Sequence, residues 1–84
     1  MYRLIISPQA KKELKKIKKT YTVAVRLAFA EIKEDFSIGK PLTRDLTGRY
    51  SYRVGTYRII YQVNQKDHVI YILTAGHRSS VYEK

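Results

Sequence analysis

Three arginines fall within one short stretch of this 84-residue chain: Arg49, Arg53 and Arg58 in RYSYRVGTYRII. Arginine's planar, permanently charged guanidinium matches the geometry of phosphate. Gly55-Thr56 lies between Arg53 and Arg58, and glycine at the first of two turn positions suits a type II′ hairpin. A turn there fixes the register: Val54 faces Tyr57, Arg53 faces Arg58, Tyr52 faces Ile59, Ser51 faces Ile60, Tyr50 faces Tyr61 and Arg49 faces Gln62. Side chains alternate along a strand. One face of the stretch 49–63 therefore carries Tyr50, Tyr52, Val54, Tyr57, Ile59, Tyr61 and Val63. The other carries Arg49, Ser51, Arg53, Arg58, Ile60 and Gln62. Like charges directly opposite each other cost a hairpin about a few tenths of a kcal/mol, so folding alone gives no reason for the Arg53–Arg58 pair. A polyanion lying across that face does.

Other chemistry is sparse. His77 is a candidate for proton transfer because an unperturbed imidazole titrates near neutrality; His68 falls in a polar turn and reads as exposed. Cysteine is absent, which removes disulfides and thiolate metal sites and fits a reducing compartment. No His/Asp/Glu ligand spacing, Gly-rich phosphate loop or carboxylate pair occurs, so neither a metal nor a nucleotide cofactor is expected. The charge balance is 17 Lys+Arg against 7 Asp+Glu, net +10. It points to a polyanionic partner: RNA, DNA or an acidic protein. Only seven acids occur, three of them (Glu31, Glu34 and Asp35) on or just after the second helix, and the arginine face is expected to hold none. The opening apolar run is too short for a signal peptide, and none approaches the ~18 residues of a membrane span. A cytoplasmic protein that does not enter the membrane is expected.

The elements that must position these residues follow from periodicity. Tyr2 to Ile6 reads as a strand. Ser7 is a good N-cap and Pro8 suits the first helical position. Ala10, Leu14 and Ile17 then form an apolar stripe, flanked by lysines that include Lys11 and Lys15. Thr20–Thr22 reads as a joint, followed by a second helix to about Phe36. Its buried stripe is Val25, Ala28, Phe29, Ile32 and Phe36, widened by Val23 and Leu27. The short connection implies an antiparallel helical hairpin. Residues 38–41, Ile-Gly-Lys-Pro, end the helical region. Leu42 to Gly48 reads as a loop anchored by Leu42 and Leu46. After the hairpin, residues 64–68 form a polar turn. Val69 to Ala75 reads as a strand buried on both faces, and residues 76–82 as a tail. The expected fold is α+β, one domain over 1–84, ordered β-α-α-β-β-β. An N-terminal helical hairpin covers the aromatic face of an antiparallel-rich four-stranded sheet and leaves the arginine face open.

The ordered set of motifs resembles the RelE/ParE superfamily of small toxins from type II toxin-antitoxin pairs. It comprises the opening strand with Ser7-Pro8-x-Ala10-x-x-x-Leu14, then Leu46-Thr47-Gly48, then the hairpin from Tyr52 to Tyr61, then Gly76-His77-Arg78 with Val81-Tyr82. The resemblance covers essentially the whole chain. It implies a RelE-like fold and, because the tail keeps Arg78 and Tyr82, a RelE-like mRNA endoribonuclease acting on translating ribosomes. The resemblance implies Arg58, Arg78 and Tyr82 as catalytic residues; Arg53, for its charge at a position where the family carries lysine, and His77, for its imidazole, join them as candidates. Arg49, Ser51, Lys11 and Lys15 are candidate RNA contacts. RelE-type sites also carry two lysines on the strand before the turn; those positions here hold Ser51 and Arg53. The implied partners are a cognate antitoxin, mRNA and ribosomal RNA, with promoter DNA reached only through the antitoxin. Two alternatives stay open: a ParE-like toxin directed at gyrase, and a catalytically weak antitoxin-binding module.

RNA carries its own nucleophile, the 2′-hydroxyl. A metal-free nuclease must take up that proton, protonate the leaving 5′-oxygen and stabilise charge on the phosphate. Arg53 and Arg58 suit the last task. Tyr82 can stack on an unpaired base or touch the 2′-hydroxyl. The residue acting as general base is open.

Overall fold

The structure, a computed structural model, is described over residues 2–42 and 48–77. The element order is β1 (Arg3–Ile6), α1 (Pro8–Lys15), α2 (Lys19–Glu34), a 3₁₀ turn (Phe36–Ile38), β2 (Lys40–Pro41), β3 (Arg49–Val54), β4 (Tyr57–Asn64) and β5 (Val69–His77). The strands form one mixed sheet in the order β1-β5-β4-β3-β2. β1 runs parallel to β5 and every other neighbouring pair is antiparallel.

The β3–β4 hairpin has the register its turn dictates, from Val54 opposite Tyr57 to Arg49 opposite Gln62. Gly55 holds φ at 60° while Thr56 has no positive φ, as a type II′ turn requires. A side chain at Gly55 would also run into the Tyr21 ring on α2, so the turn is seated against that helix.

α1 starts as its sequence requires. The Ser7 hydroxyl accepts the Ala10 N–H at 3.0 Å and donates to the Leu73 carbonyl at 2.9 Å, while Pro8 opens the helix. The cap thus ties the helix start to β5, an inner strand of the sheet. The break between the helices falls at Lys16–Lys18, not at 20–22: Lys16 caps α1 and Lys18 opens α2. The phenol of Tyr57 accepts the Lys18 N–H at 3.3 Å. This supplies from β4 the capping acceptor that no side chain of α2 provides.

Both helices lie on the aromatic face of the sheet. Ala10, Val25, Ala28 and Ile32 are buried with Val54, Ile59, Tyr61, Ile70, Ile72 and Ala75, and Leu14, Ile17, Phe29 and Phe36 pack around them. The helices do not close on each other as a tight hairpin. α1 rests on β5 and α2 on β3 and β1, and an open groove of about 320 Å³ lined by Leu14, Ile17, Val25 and Phe29 separates them. Val23 and Leu27, expected to widen the buried stripe, point to solvent with exposures of 67 % and 60 %. They stand on the flank of α2 that the splayed arrangement leaves uncovered.

Three expectations about the sheet need correction. It has five strands among the described residues, because Lys40 and Pro41 pair with Ser51 and Tyr50 as an edge strand. Proline is tolerated there because an edge strand leaves one side of its backbone unpaired. β5 extends to His77, and it is not buried on both faces throughout, since Tyr71 is exposed. A bulge opposite Ile60/Tyr61 interrupts its alternation at Leu73. The arginine face, finally, is only partly open: Ser51 and Arg58 are each 5 % exposed.

Candidate active site

β3 and β4 bring Arg53 and Arg58 to one face in directly opposed positions. Their side chains diverge from there. Arg58 folds along the strand pair, and its Nη1 donates to the Ser51 Oγ at 2.8 Å. Arg53 stays exposed. A cross-strand diagonal of this kind is within reach of a long side chain, and it relieves the repulsion that two parallel guanidiniums would suffer. Both arginines still line one cleft of about 320 Å³, together with Ile38, Lys40, Ser51 and Tyr52. Among the described residues the lining contains three cations and no carboxylate.

The cleft opens at the sheet edge because β2 is two residues long and stops opposite Ser51. A buried anchor sets that stop. Tyr61 is fully buried; its hydroxyl donates to the Phe36 carbonyl at 2.5 Å and accepts the Gly39 N–H at 3.0 Å. A Cβ at Gly39 would collide with the Tyr61 ring, so glycine is needed for this approach. Burial pushes the Tyr61 phenol up to about 12, against the partial relief given by the Gly39 N–H. Asp35 holds the turn from its start, accepting from the Ser37 N–H and hydroxyl at 3.0 and 2.6 Å. Those two bonds lower its pKa, the hydroxyl most. Tyr52, at the cleft wall, donates to Glu31 at 3.3 Å; burial first, and then the Glu31 charge, raise its pKa. Its proton is therefore retained.

The structure brings together Arg53, Arg58 and Ser51 of the residues singled out from sequence. Arg49 lies on the same face, two positions along β3. Lys11 and Lys15 do not join them, because α1 covers the opposite face of the sheet. His77 does not join them either. It pairs with Tyr57, whereas Gly76 pairs with Arg58, so alternation sends His77 to the helix side. There its ring meets Tyr57 edge-on at 5.9 Å, beside Glu13 and Lys16 in a separate cleft of about 380 Å³. Glu13 accepts from the Thr74 hydroxyl at 2.6 Å and the Ala75 N–H at 2.8 Å, pinning α1 to the end of β5. Arg78 and Tyr82 lie outside the described residues, as do Leu46 and Thr47. Sequence reasoning missed Lys40: Gly39-Lys40-Pro41 read as punctuation, and only an edge strand after the 3₁₀ turn gives the lysine a face.

Among the described residues no helix is long and apolar enough to cross a membrane. Comparison with known proteins agrees with the motif pattern. Residues 4–82 match the family described as the ParE toxin of the type II toxin-antitoxin system, parDE. Toxin RelG of Mycobacterium tuberculosis is 33% identical over 99% of this chain and 98% of its own length. Toxin RelE of the same organism is 30% identical over 96% of this chain and 86% of its own. A chain of the RelBE2 toxin-antitoxin complex from M. tuberculosis superposes with a TM-score of 0.78 at 34% identity, covering 92% of this chain and 98% of that one. The isolated Escherichia coli RelE toxin gives 0.78 at 25% identity, over 98% of this chain and 92% of that one. With motifs, fold and both relatives in agreement, this chain belongs to the RelE/ParE superfamily, the toxins of type II toxin-antitoxin systems.

Proposed function

We propose that this toxin is a metal-independent mRNA endoribonuclease that acts in the cytoplasm on translating ribosomes. The observation that carries the reading is the cleft at the β3 edge. In it a buried guanidinium, Arg58, is oriented by the Ser51 hydroxyl and flanked by Arg53. Permanent positive charge at fixed positions suits a phosphate that gains charge in the transition state. Both curated relatives are toxins named RelG and RelE, which favours the RelE branch.

In the proposed step the RNA 2′-oxygen attacks the adjacent phosphorus as its proton passes to a base. The bond from phosphorus to the 5′-oxygen breaks, and that oxygen takes up a proton. The products are a 2′,3′-cyclic phosphate and a 5′-hydroxyl end. Arg58 and Arg53 hold the non-bridging oxygens. Arg78 and Tyr82, carried over from the family resemblance, complete the site from the tail: Arg78 adds charge near the leaving oxygen and Tyr82 stacks on a base. A cognate antitoxin restrains the toxin, as the toxin-antitoxin complexes among its structural relatives suggest. The net charge of +10 suits an acidic antitoxin segment.

Primer-extension mapping of transcripts after brief induction tests the reading. Cuts inside translated codons, lost when translation is blocked, are expected. The family description names the ParE toxin, which favours a second reading, inhibition of gyrase. DNA-damage signalling with intact transcripts would establish that reading and overturn the first.

A further inference from the structure

The cleft holds one cation that the arginine pattern does not account for. Lys40 stands directly opposite Ser51 across the β2–β3 pair. Cross-strand partners share a face, with Cβ atoms roughly 5 Å apart. Lys40 therefore projects to the same side as Ser51 and Arg58, and it lines the same cleft. Of the groups there, Ser51 is engaged by Arg58 and the Tyr52 hydroxyl by Glu31. Ile38 is apolar, and Lys40 and Arg53 are the exposed cations at the rim.

Its placement is more closely determined than that of an ordinary surface lysine. The preceding residue, Gly39, is buried and held by the Tyr61 hydroxyl, which also fixes the Phe36 carbonyl of the 3₁₀ turn. On the other side, the Leu42 N–H donates to the Arg49 carbonyl at 2.8 Å and continues the ladder. The backbone carrying Lys40 is thus clamped before and after it, which fixes the point from which its exposed side chain reaches into the cleft.

We propose that Lys40 is a phosphate-contacting residue of the cleft: from β2 it delivers an ammonium to the position across from Ser51, so that an RNA backbone is gripped by Lys40, Arg53 and Arg58 together. The proposal deepens the ribonuclease reading and rests on it for the identity of the substrate. It also gives the two-residue β2 strand a purpose, since two residues suffice to present one side chain in register.

The test is a salt titration of binding to a 2′-deoxy oligonucleotide, which offers phosphates but no internal nucleophile. Each phosphate contact to a single strand contributes about 0.7 to the slope of log K against log[salt]. Lys40→Gln should lower the slope by about 0.7, while Lys40→Arg retains it. Lys66→Gln, in the β4–β5 turn, should leave it unchanged. Transcript cleavage should fall about tenfold or more in Lys40→Gln and recover in Lys40→Arg. A slope for Lys40→Gln equal to that of the unsubstituted protein would overturn the proposal. A toxin that cuts no transcript would instead overturn the ribonuclease reading, while the oligonucleotide slope would still decide the role of Lys40.

Discussion

The two faces of the sheet bury side chains for opposite reasons. On the helix side Ile59, Tyr61, Ile70 and Ile72 are fully enclosed among apolar neighbours. Burying each such side chain stabilises the fold by about 1.5–3 kcal/mol. On the other side Arg58 is almost as deeply enclosed, yet it carries a charge that burial penalises. Adjacent residues of one strand, Arg58 and Ile59, therefore do contrary work. The first spends stability to hold a cation where a phosphate can meet it, and the second supplies stability.

Substituting the two neighbours separately gives the largest contrast. Arg58→Met keeps most of the side-chain volume and removes the charge. It should cut transcript cleavage by about 10²–10³, the usual cost of losing a preorganised transition-state contact. Its stability should fall less than that of an Ile59 truncation, because removing a buried charge offsets the loss of the bond to Ser51. Ile59→Ala should do the reverse: a loss of about 2–4 kcal/mol in denaturant unfolding, with cleavage per folded molecule unchanged. If both variants lost stability and kept activity alike, the division of labour between the faces would be wrong.

How legible each face was in the sequence follows from the same contrast. The hairpin register and the aromatic face could be read residue by residue, because a two-residue turn and strict alternation leave no freedom. That Arg49, Arg53 and Arg58 share the other face followed equally well. Their burial did not, because whether Arg58 stands out or folds onto Ser51 is a rotamer choice that alternation does not encode. Val23 and Leu27 failed for a related reason. Helical periodicity gives the direction of an apolar stripe, but its width depends on how closely the next helix approaches. Lys40 was hidden because two residues are too few for a strand signal, and proline argues against one.

Tyr61 connects the faces: its ring is core, and its hydroxyl fixes the turn that leads to Lys40. Tyr61→Phe keeps the ring and leaves the Gly39 N–H without its acceptor, which should cost about 1–3 kcal/mol. The phenol's pKa is raised from 10.0 to about 12 in the folded state. The folded protein therefore keeps this proton in a range where the unfolded chain gives it up. The associated stability is fully present below pH 10 and is lost as pH rises toward 12. Unfolding free energy should accordingly fall more steeply over that interval in the unsubstituted protein than in Tyr61→Phe. Identical slopes would mean that the hydroxyl is not enclosed as described.

His77 gives the smallest expected effect and the sharpest test of face assignment. Sequence proximity to Arg78 and an imidazole's pKa made it a natural candidate for proton transfer. The pairing of β4 with β5 sets it beside Tyr57, and it gives Gly76 the place opposite Arg58. A base must lie within about 3 Å of the proton it takes, directly or through one water, and a side chain on the far side of a sheet does not meet that condition. His77→Ala should therefore leave transcript cleavage within about threefold, and it should leave unchanged the pH profile of cleavage between pH 5.5 and 8, where a histidine base would impose a titration. A loss comparable to that of Arg58→Met, together with a flattened acidic limb, would place the imidazole in the chemistry. It would also mean that the end of β5 turns over when RNA binds.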